Sequence, residues 1–421
     1  SEKVKDKLLA ERIANYQQAQ QAHQQAEEAF NQARQAYRQA EQAYLQYKQS
    51  VQVNQRWLVS AVHGFKQQNY EAQPPSHLID ARWRDNFAAL GREEVWLPFN
   101  LALGCYLPFS VYGSALSPEA WLARIIAAWQ PDIIHTMGLE GAYFLYPLRQ
   151  DPALKGVGKW VIQTRGGSDL ALTRLDPDTK AVMRSVLGAC DAVITDNQKN
   201  FDYLAELGVA RENICPLCPL PGTGGMDLSG VGKPTPPSRR ERIILWPKAY
   251  ESPWSKALPV LEALNLAWEK IAPCQIHLLV AGREVRDWAR ALPDEIQECL
   301  HFHERIERGQ VLELMASARV MLAPSLVDGI PNTLYEAMAL GAFPLLSPLD
   351  TISTLVRDPD NTLFARNLYP GELAEALVKA MNDDALVDAA AEANRELVAQ
   401  VADRARIAER VQAYYRELAG A

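Results

Sequence analysis

Two carboxylates, Asp328 and Glu336, stand with seven residues between them in the stretch SLVDGIPNTLYEAMALGAFPLLSP, residues 325–348. The run VMLAP, residues 320–324, reads as a strand that ends in a loop holding Asp328 and Gly329. Pro331 suits the first turn of a helix, where its missing N–H would be unpaired in any case. The backbone N–H groups at such a helix start have no intrahelical acceptor and form an anion site. Leu334, Ala337, Met338 and Gly341 keep the i, i+3, i+4, i+7 spacing of a core-facing stripe. Glu336 lies about 200° around from Leu334 and is expected to point away from the sheet, free to face a cleft. Helix amides can hold a diphosphate, and a carboxylate can accept paired hydrogen bonds from vicinal hydroxyls. Gly329, Ile330, Pro331, Asn332, Thr333, Leu334 and Glu336 are therefore the candidate ligand-binding set. Taken alone, Glu336 reads as a solvated surface glutamate.

Further candidates lie upstream. Lys248 follows the apolar run RIILW, and Lys256 stands eight residues later where a helix begins. Two cations at a strand-helix junction offset charge that develops on a leaving diphosphate, although each also reads as a surface lysine. PDIIHTMG, residues 131–138, places His135 after an apolar run, and RGGSDL, residues 165–170, places Asp169 in a glycine turn. A lone histidine after a strand is ordinarily core or surface. GGMDL, residues 224–228, reads as a structural turn. Cys215 and Cys218 form a C-x-x-C without a second metal-type pair and read as structural. No Asp-x-Asp triplet stands in a strand-end context, so no obligatory divalent cation is expected.

These residues need elements to position them. From 51 to 228 the runs WLPF near 96, DIIH at 132–135, KWVIQT at 159–164 and DAVIT at 191–195 alternate with helical stretches and read as parallel strands. Residues 230–242, GVGKPTPPSRRER, read as a linker. Beyond it, RIILW, IHLLVAG, CLHFH, VMLAP and FPLLS alternate with helical patterns, which predicts a doubly wound parallel sheet whose ligand crevice lies at the carboxyl ends of the strands. The expected division is 1–50, 51–229 and 230–404, with a helix of about 405–421 returning to the first α/β domain.

Residues 5–50 lack Gly and Pro and carry a seven-residue period. Leu9, Tyr16, His23, Phe30, Tyr37 and Tyr44 recur every seventh position beside alanines such as Ala19, Ala26, Ala33 and Ala40. That period predicts a left-handed coiled-coil seam of large rings against alanine. It is open to self-association, to a partner helix or to docking on its own chain.

Composition narrows the class. At 421 residues, with 48% hydrophobic and 22% charged content, the chain suits two globular domains plus an appendage. A net charge of -8 argues against nucleic acid as a partner, while a local contact with a membrane surface stays open. Ser1 to Gln20 lacks an apolar signal region, and the six cysteines are dispersed, so a cytoplasmic location is expected.

The motifs in this order resemble the retaining glycosyltransferases of family 4, the group-1 glycosyltransferases with the GT-B fold. In them two acids separated by seven residues bracket a Gly-Pro loop before a Glu-Ala-Met-Ala helix, the places filled here by Asp328, Gly329, Pro331, Asn332 and Glu336 to Ala339. The first acid is usually glutamate in the family. The resemblance covers about residues 120–415 and is weakest between 51 and 118, where WLVSAVHGF supplies a single glycine. It implies an α/β fold of two facing Rossmann-like domains and a UDP- or GDP-sugar donor held by the second. The acceptor would be a glycan or glycolipid hydroxyl, with no cofactor. It further implies that His135 and Asp328 position the sugar and that Asp169 reaches the cleft. Lys248 and Lys256 would stabilise the leaving phosphate, while Glu336 holds the ribose. An epimerase or hydrolase on the same architecture, or a non-catalytic scaffold built around the heptad helix, remains open at this level.

Overall fold

The computed structural model describes residues 131–420 apart from 165, 166 and 305, together with the strands Trp57–Val62 and Val95–Asn100 and residues 123 and 126. The heptad segment of residues 5–50 lies outside the described residues, and nothing structural bears on its seam.

The first sheet contains β1 (Trp57–Val62), β2 (Val95–Asn100), β3 (Ile133–Met137), β4 (Lys159–Gln163) and β5 (Ala192–Ile194), in the order β2-β1-β3-β4-β5. The β1–β3, β3–β4 and β4–β5 pairs are parallel. Ile133, Ile134, Trp160, Val161, Ile162 and Val193 are buried, as continuous apolar runs require in a sheet covered on both faces. The intervening helices are α1 (Gly138–Arg149), α2 (Pro177–Leu187) and α3 (Lys199–Glu206). Helix α2 starts on Asp176, whose side chain accepts from Thr179 N, with Pro177 in the first turn. The turn expected around Asp169 is instead wound into a π-helical segment, Ser168–Leu172, and a 3₁₀ turn, Thr173–Leu175.

The second sheet has six parallel strands: β6 (Ile243–Trp246), β7 (Gln275–Leu279), β8 (Leu300–His303), β9 (Val320–Ala323), β10 (Phe343–Leu346) and β11 (Leu363–Phe364). Their order is β11-β10-β9-β6-β7-β8. Ile244 and Trp246 enter one core with Leu264, Phe343 and Leu377, while Ile243 and Leu245 enter another with Met321, Leu334 and Met338. That period-two division is what a strand buried on both faces must show. Helices α4 (Leu258–Ile271), α5 (Arg283–Ala289), α6 (Asp294–Gln297), α7 (Arg308–Ser317), α8 (Asn332–Leu340), α9 (Pro370–Asn382) and α10 (Asp384–Val401) follow, and α11 (Arg404–Ala419) ends the chain.

The two lobes are joined where the chain crosses between them twice. Met226 N donates to Ala402 O at 2.8 Å and Arg404 N to Met226 O at 3.0 Å, while the Arg404 guanidinium also donates to Gly225 O. Gly225 has φ of +87°, and a Cβ there would lie 2.3 Å from Ala402 O, so only glycine fits the crossing. From this point α11 returns to the first sheet, where the Tyr415 hydroxyl stands 2.8 Å from His135 Nδ1. Cys215 and Cys218 are buried free thiols beside β5, and Thr195 N donates to Cys218 Sγ. Among the described residues no helix is long and apolar enough to cross a membrane.

Candidate active site

The Asp328 loop lies between β9 and α8 at the carboxyl edge of the second sheet, where a parallel sheet binds ligands. Asp328 is fixed from three directions. Its Oδ2 accepts from Lys248 Nζ at 2.6 Å, its Oδ1 accepts from Gly329 N at 3.0 Å, and its carbonyl accepts from Thr351 Oγ1 at 2.7 Å. The first lobe presses against the same backbone, since a Cβ on Gly167 would stand 2.5 Å from Asp328 O. Lys248 reaches the loop because β6 and β9 are neighbours in the sheet and both end at this edge.

Pro331 precedes α8 with φ of −70° and ψ of 141°, and no side chain caps the helix start. The Thr333 hydroxyl in this first turn is buried and has no hydrogen-bond partner. An orphaned hydroxyl beside open helix amides is what an anionic or hydroxyl-rich ligand would satisfy. Asn332 Oδ1 accepts from Thr223 Oγ1 of the first lobe at 3.0 Å.

Glu336 departs from its expected placement. It is 6% exposed, not free at a cleft, because α7 packs alongside α8 and covers it, and its Oε1 accepts from Arg308 of α7 at 2.7 Å. Burial raises its carboxyl above the ordinary value, and the Arg308 charge opposes that shift. Helical periodicity places Glu336 relative to the face of its own helix but says nothing about α7.

Lys256 Nζ pairs with Glu251 Oε1 at 2.6 Å, and Glu251 Oε2 accepts from Ala257 N at 2.9 Å at the start of α4. Glu251 thus places a carboxylate on the ammonium expected to meet a diphosphate and on the amide that precedes α4. Asn367 holds this junction by accepting from Lys256 N and donating to Lys256 O.

His135 is the third of the five residues of β3 and not at its carboxyl end as expected. Its Nδ1 faces Tyr415, its Nε2 is buried, and burial lowers its pKa to about 4 against the opposing contact with Gln163. The ring is therefore neutral at pH 7. Asp169 accepts from Leu139 N at 3.2 Å at the start of α1, which gives it a capping contact in place of an open turn position. The structure thus brings Asp328, Lys248 and the start of α8 together, while His135 and Asp169 are anchored within the first lobe and its returning helix.

Three contributors escaped the sequence reading. Arg308 is one charge among several in ERIERGQ, Glu251 lies in the AYESPWS loop, and Asp196 follows directly after DAVIT. Only the residue types are visible there; Arg308 and Asp196 reach Glu336 and Ile330 N on other elements, and the contact of Glu251 with Lys256 depends on how their shared loop folds. A separate cleft of about 510 Å³, lined by Val280, Ala281, Arg283, Arg286, Asp287, Arg290 and Glu304, contains none of the candidate residues. Among the described residues no His, Cys, Asp and Glu cluster is arranged to hold a metal ion.

Residues 241–383 match the family of glycosyl transferases, group 1. This group-1 segment contains β6 to β11 and with them Lys248, Lys256, Asp328 and Glu336. A search of curated proteins gives no match. Among solved structures, the sucrose-phosphate synthase of Thermosynechococcus elongatus aligns with a TM-score of 0.61 at 17% identity, over 86% of this chain and 99% of that one. HepE of Anabaena, solved with UDP and glucose, aligns with a TM-score of 0.59 at 14% identity, over 85% and 98% of the two chains. The pneumococcal O-GlcNAc transferase GtfA, solved with UDP and GlcNAc, aligns with a TM-score of 0.57 at 12% identity, over 73% and 62%. The fold that this chain, with its two parallel sheets, shares with these neighbours is GT-B.

Proposed function

We propose that the protein is a retaining glycosyltransferase that moves a sugar from a UDP- or GDP-sugar to a hydroxyl of a glycan or glycolipid. The observation that carries this reading is the Lys248–Asp328 pair beside the uncapped start of α8, inside the segment that matches the group-1 family. The complexes of HepE with UDP and glucose and of GtfA with UDP and GlcNAc favour a UDP-linked donor.

In this proposal the amides at the start of α8 and the two ammonium groups of Lys248 and Lys256 face the diphosphate. The bond from the anomeric carbon to the diphosphate oxygen breaks while the acceptor oxygen bonds to the same face of that carbon. The acceptor proton passes to the departing phosphate oxygen. Lys248 then exchanges part of its contact with Asp328 for the phosphate, which leaves Asp328 an acceptor for a sugar hydroxyl. Glu336 takes the ribose hydroxyls beside Arg308, and neutral His135 presents a ring nitrogen from the first lobe. Asp169 acts through the start of α1. Electrostatic preorganisation, with no protein nucleophile, supplies most of the rate. Metal independence, cytoplasmic residence and assembly through residues 5–50 belong to the same proposal.

The test is release of free UDP or GDP from a panel of nucleotide sugars, with and without acceptor glycans, in the presence of EDTA. Acceptor-dependent release with an α-configured product from an α-configured donor supports the reading. Release without acceptor marks a hydrolase, isomerised donor marks an epimerase, and absence of both binding and turnover leaves a scaffold.

A further inference from the structure

We propose that Asp196 is a positioning residue for the donor loop, a carboxylate supplied by the first lobe that fixes the backbone on which Asp328 and the start of α8 depend. This inference rests on the function proposed above. Asp196 stands two residues beyond β5, at the carboxyl edge of the first sheet, and is 3% exposed. One of its oxygens is committed to its own lobe: Oδ1 accepts from Asn197 Nδ2 at 2.8 Å and from Asn200 Nδ2 at 3.3 Å. Those amides are themselves held, since Asn200 Nδ2 donates to Thr195 Oγ1 at 2.7 Å and Asn200 N to Asn197 Oδ1 at 3.0 Å. The other oxygen, Oδ2, is left to cross to the second lobe, where it accepts from Ile330 N at 3.1 Å.

Ile330 joins the two halves of the candidate site. Gly329 and Asp328 precede it, and Pro331, from which α8 departs, follows it. Holding one peptide N–H at this point restricts both the direction of the Asp328 carboxylate and the direction of the first α8 amides. The contact is costly for mere adhesion between lobes, because a buried carboxylate without a cation carries a desolvation penalty that apolar packing avoids. No lysine or arginine pairs with Asp196 among the described ion pairs, and burial together with the nearby Asp328 pushes its carboxyl up to about 6. What the charge obtains is a directional, charge-assisted bond to one amide, and hence a fixed loop geometry. Gly167, pressed against Asp328 O, backs the loop from the same lobe.

The experiment compares full-length wild type with Asp196→Ala and Asp196→Asn. The asparagine retains an oxygen that can accept from Ile330 N, and Asp196→Leu, near-isosteric and without an acceptor, carries the alanine expectation if that variant loses its fold. Three quantities are read: the Kd for UDP alone, the kcat and donor KM of acceptor-dependent transfer, and amide hydrogen exchange across 328–334. The expected result for the non-accepting variants is a kcat lowered on the order of 10²-fold, the cost of a misplaced reacting geometry. The Kd for UDP should change little, exchange at Ile330 should accelerate, and Asp196→Asn should recover most of the turnover. Unchanged exchange at Ile330 in the non-accepting variants, or an Asp196→Asn variant as impaired as they are, overturns the proposal. Hydrogen exchange needs no turnover. A wild type without transferase activity therefore removes the proposed function while the loop-holding role of Asp196 is still decided.

Discussion

Lys248 and Asp328 are 80 residues apart in sequence, yet their charged atoms lie 2.6 Å apart at the ends of two adjacent strands. Both side chains are partly exposed, so the pair itself adds on the order of 1 kcal/mol or less to stability. Its value lies in position. Lys248→Met is therefore expected to leave Tm within a few degrees of wild type and to lower kcat by about 10²- to 10³-fold, the usual cost of losing one preorganised charge contact. Wild-type turnover in this variant, measured beside its melting curve, would remove Lys248 from the mechanism.

Glu251 sits on Lys256 and on the Ala257 N–H just before α4, so a diphosphate approaching Lys256 would meet like charge. Glu251→Gln keeps an acceptor for Ala257 N and removes the charge. UDP should then bind tighter by about 3- to 10-fold, consistent with the modest energies of partly exposed charge pairs. Calorimetric titration of both proteins checks this, and weaker binding in the variant would show that Glu251 holds the site open instead of competing for it.

The buried Glu336–Arg308 pair gives a different expectation, because one partner is covered and the other is largely exposed. Glu336→Gln should weaken nucleotide-sugar binding by roughly ten- to hundred-fold, the loss of charge-assisted bonds worth about 1.5–3 kcal/mol. Arg308→Ala should lower Tm more than Glu336→Gln does, since it leaves a buried carboxylate unpaired. Equal donor affinity in wild type and Glu336→Gln would restrict Glu336 to holding α7 against α8.

His135 links the first sheet to α11 and should make the fold acid-sensitive. Burial lowers its pKa to about 4 from an ordinary 6.5, so between these values the unfolded chain binds more protons than the folded one. Its contribution is present above pH 6.5 and is lost as pH falls toward 4, by at most about 3 kcal/mol. Chemical denaturation at pH 7.5 and pH 5 should show this loss in wild type and a smaller one in His135→Gln. Parallel losses in the two proteins would assign the acid sensitivity to other groups.

The heptad segment gives the last expectation. Four or five large rings, each contributing about 1.5–3 kcal/mol on burial, are sufficient to offset an association cost of roughly 4–15 kcal/mol. Deleting residues 1–50 should convert an oligomer to a monomer by light scattering, with turnover per site retained. A full-length protein already monomeric at micromolar concentration would contradict self-association.

Much of the fold was determined by the sequence alone, because strand and helix periods are local. RIILW, IHLLVAG, CLHFH, VMLAP and FPLLS each contain one of β6 to β10 apart from a residue at the margin of β7, and the Asp328 loop leads into α8 as its Pro331 predicts. By contrast β11, two residues long, has no period to detect. Sheet order, the Tyr415 contact with His135, and the bond from Asp196 to an amide 134 residues away were decided only by tertiary packing. The same holds for side chains. Residue type and spacing identify Glu336, Lys248 and Lys256 as charged groups near a helix start. Whether Glu336 meets solvent or Arg308, and whether Lys248 meets Asp328, depends on other elements whose approach is set by burial of the whole core and not by any local pattern, while Lys256 meets Glu251 of its own loop.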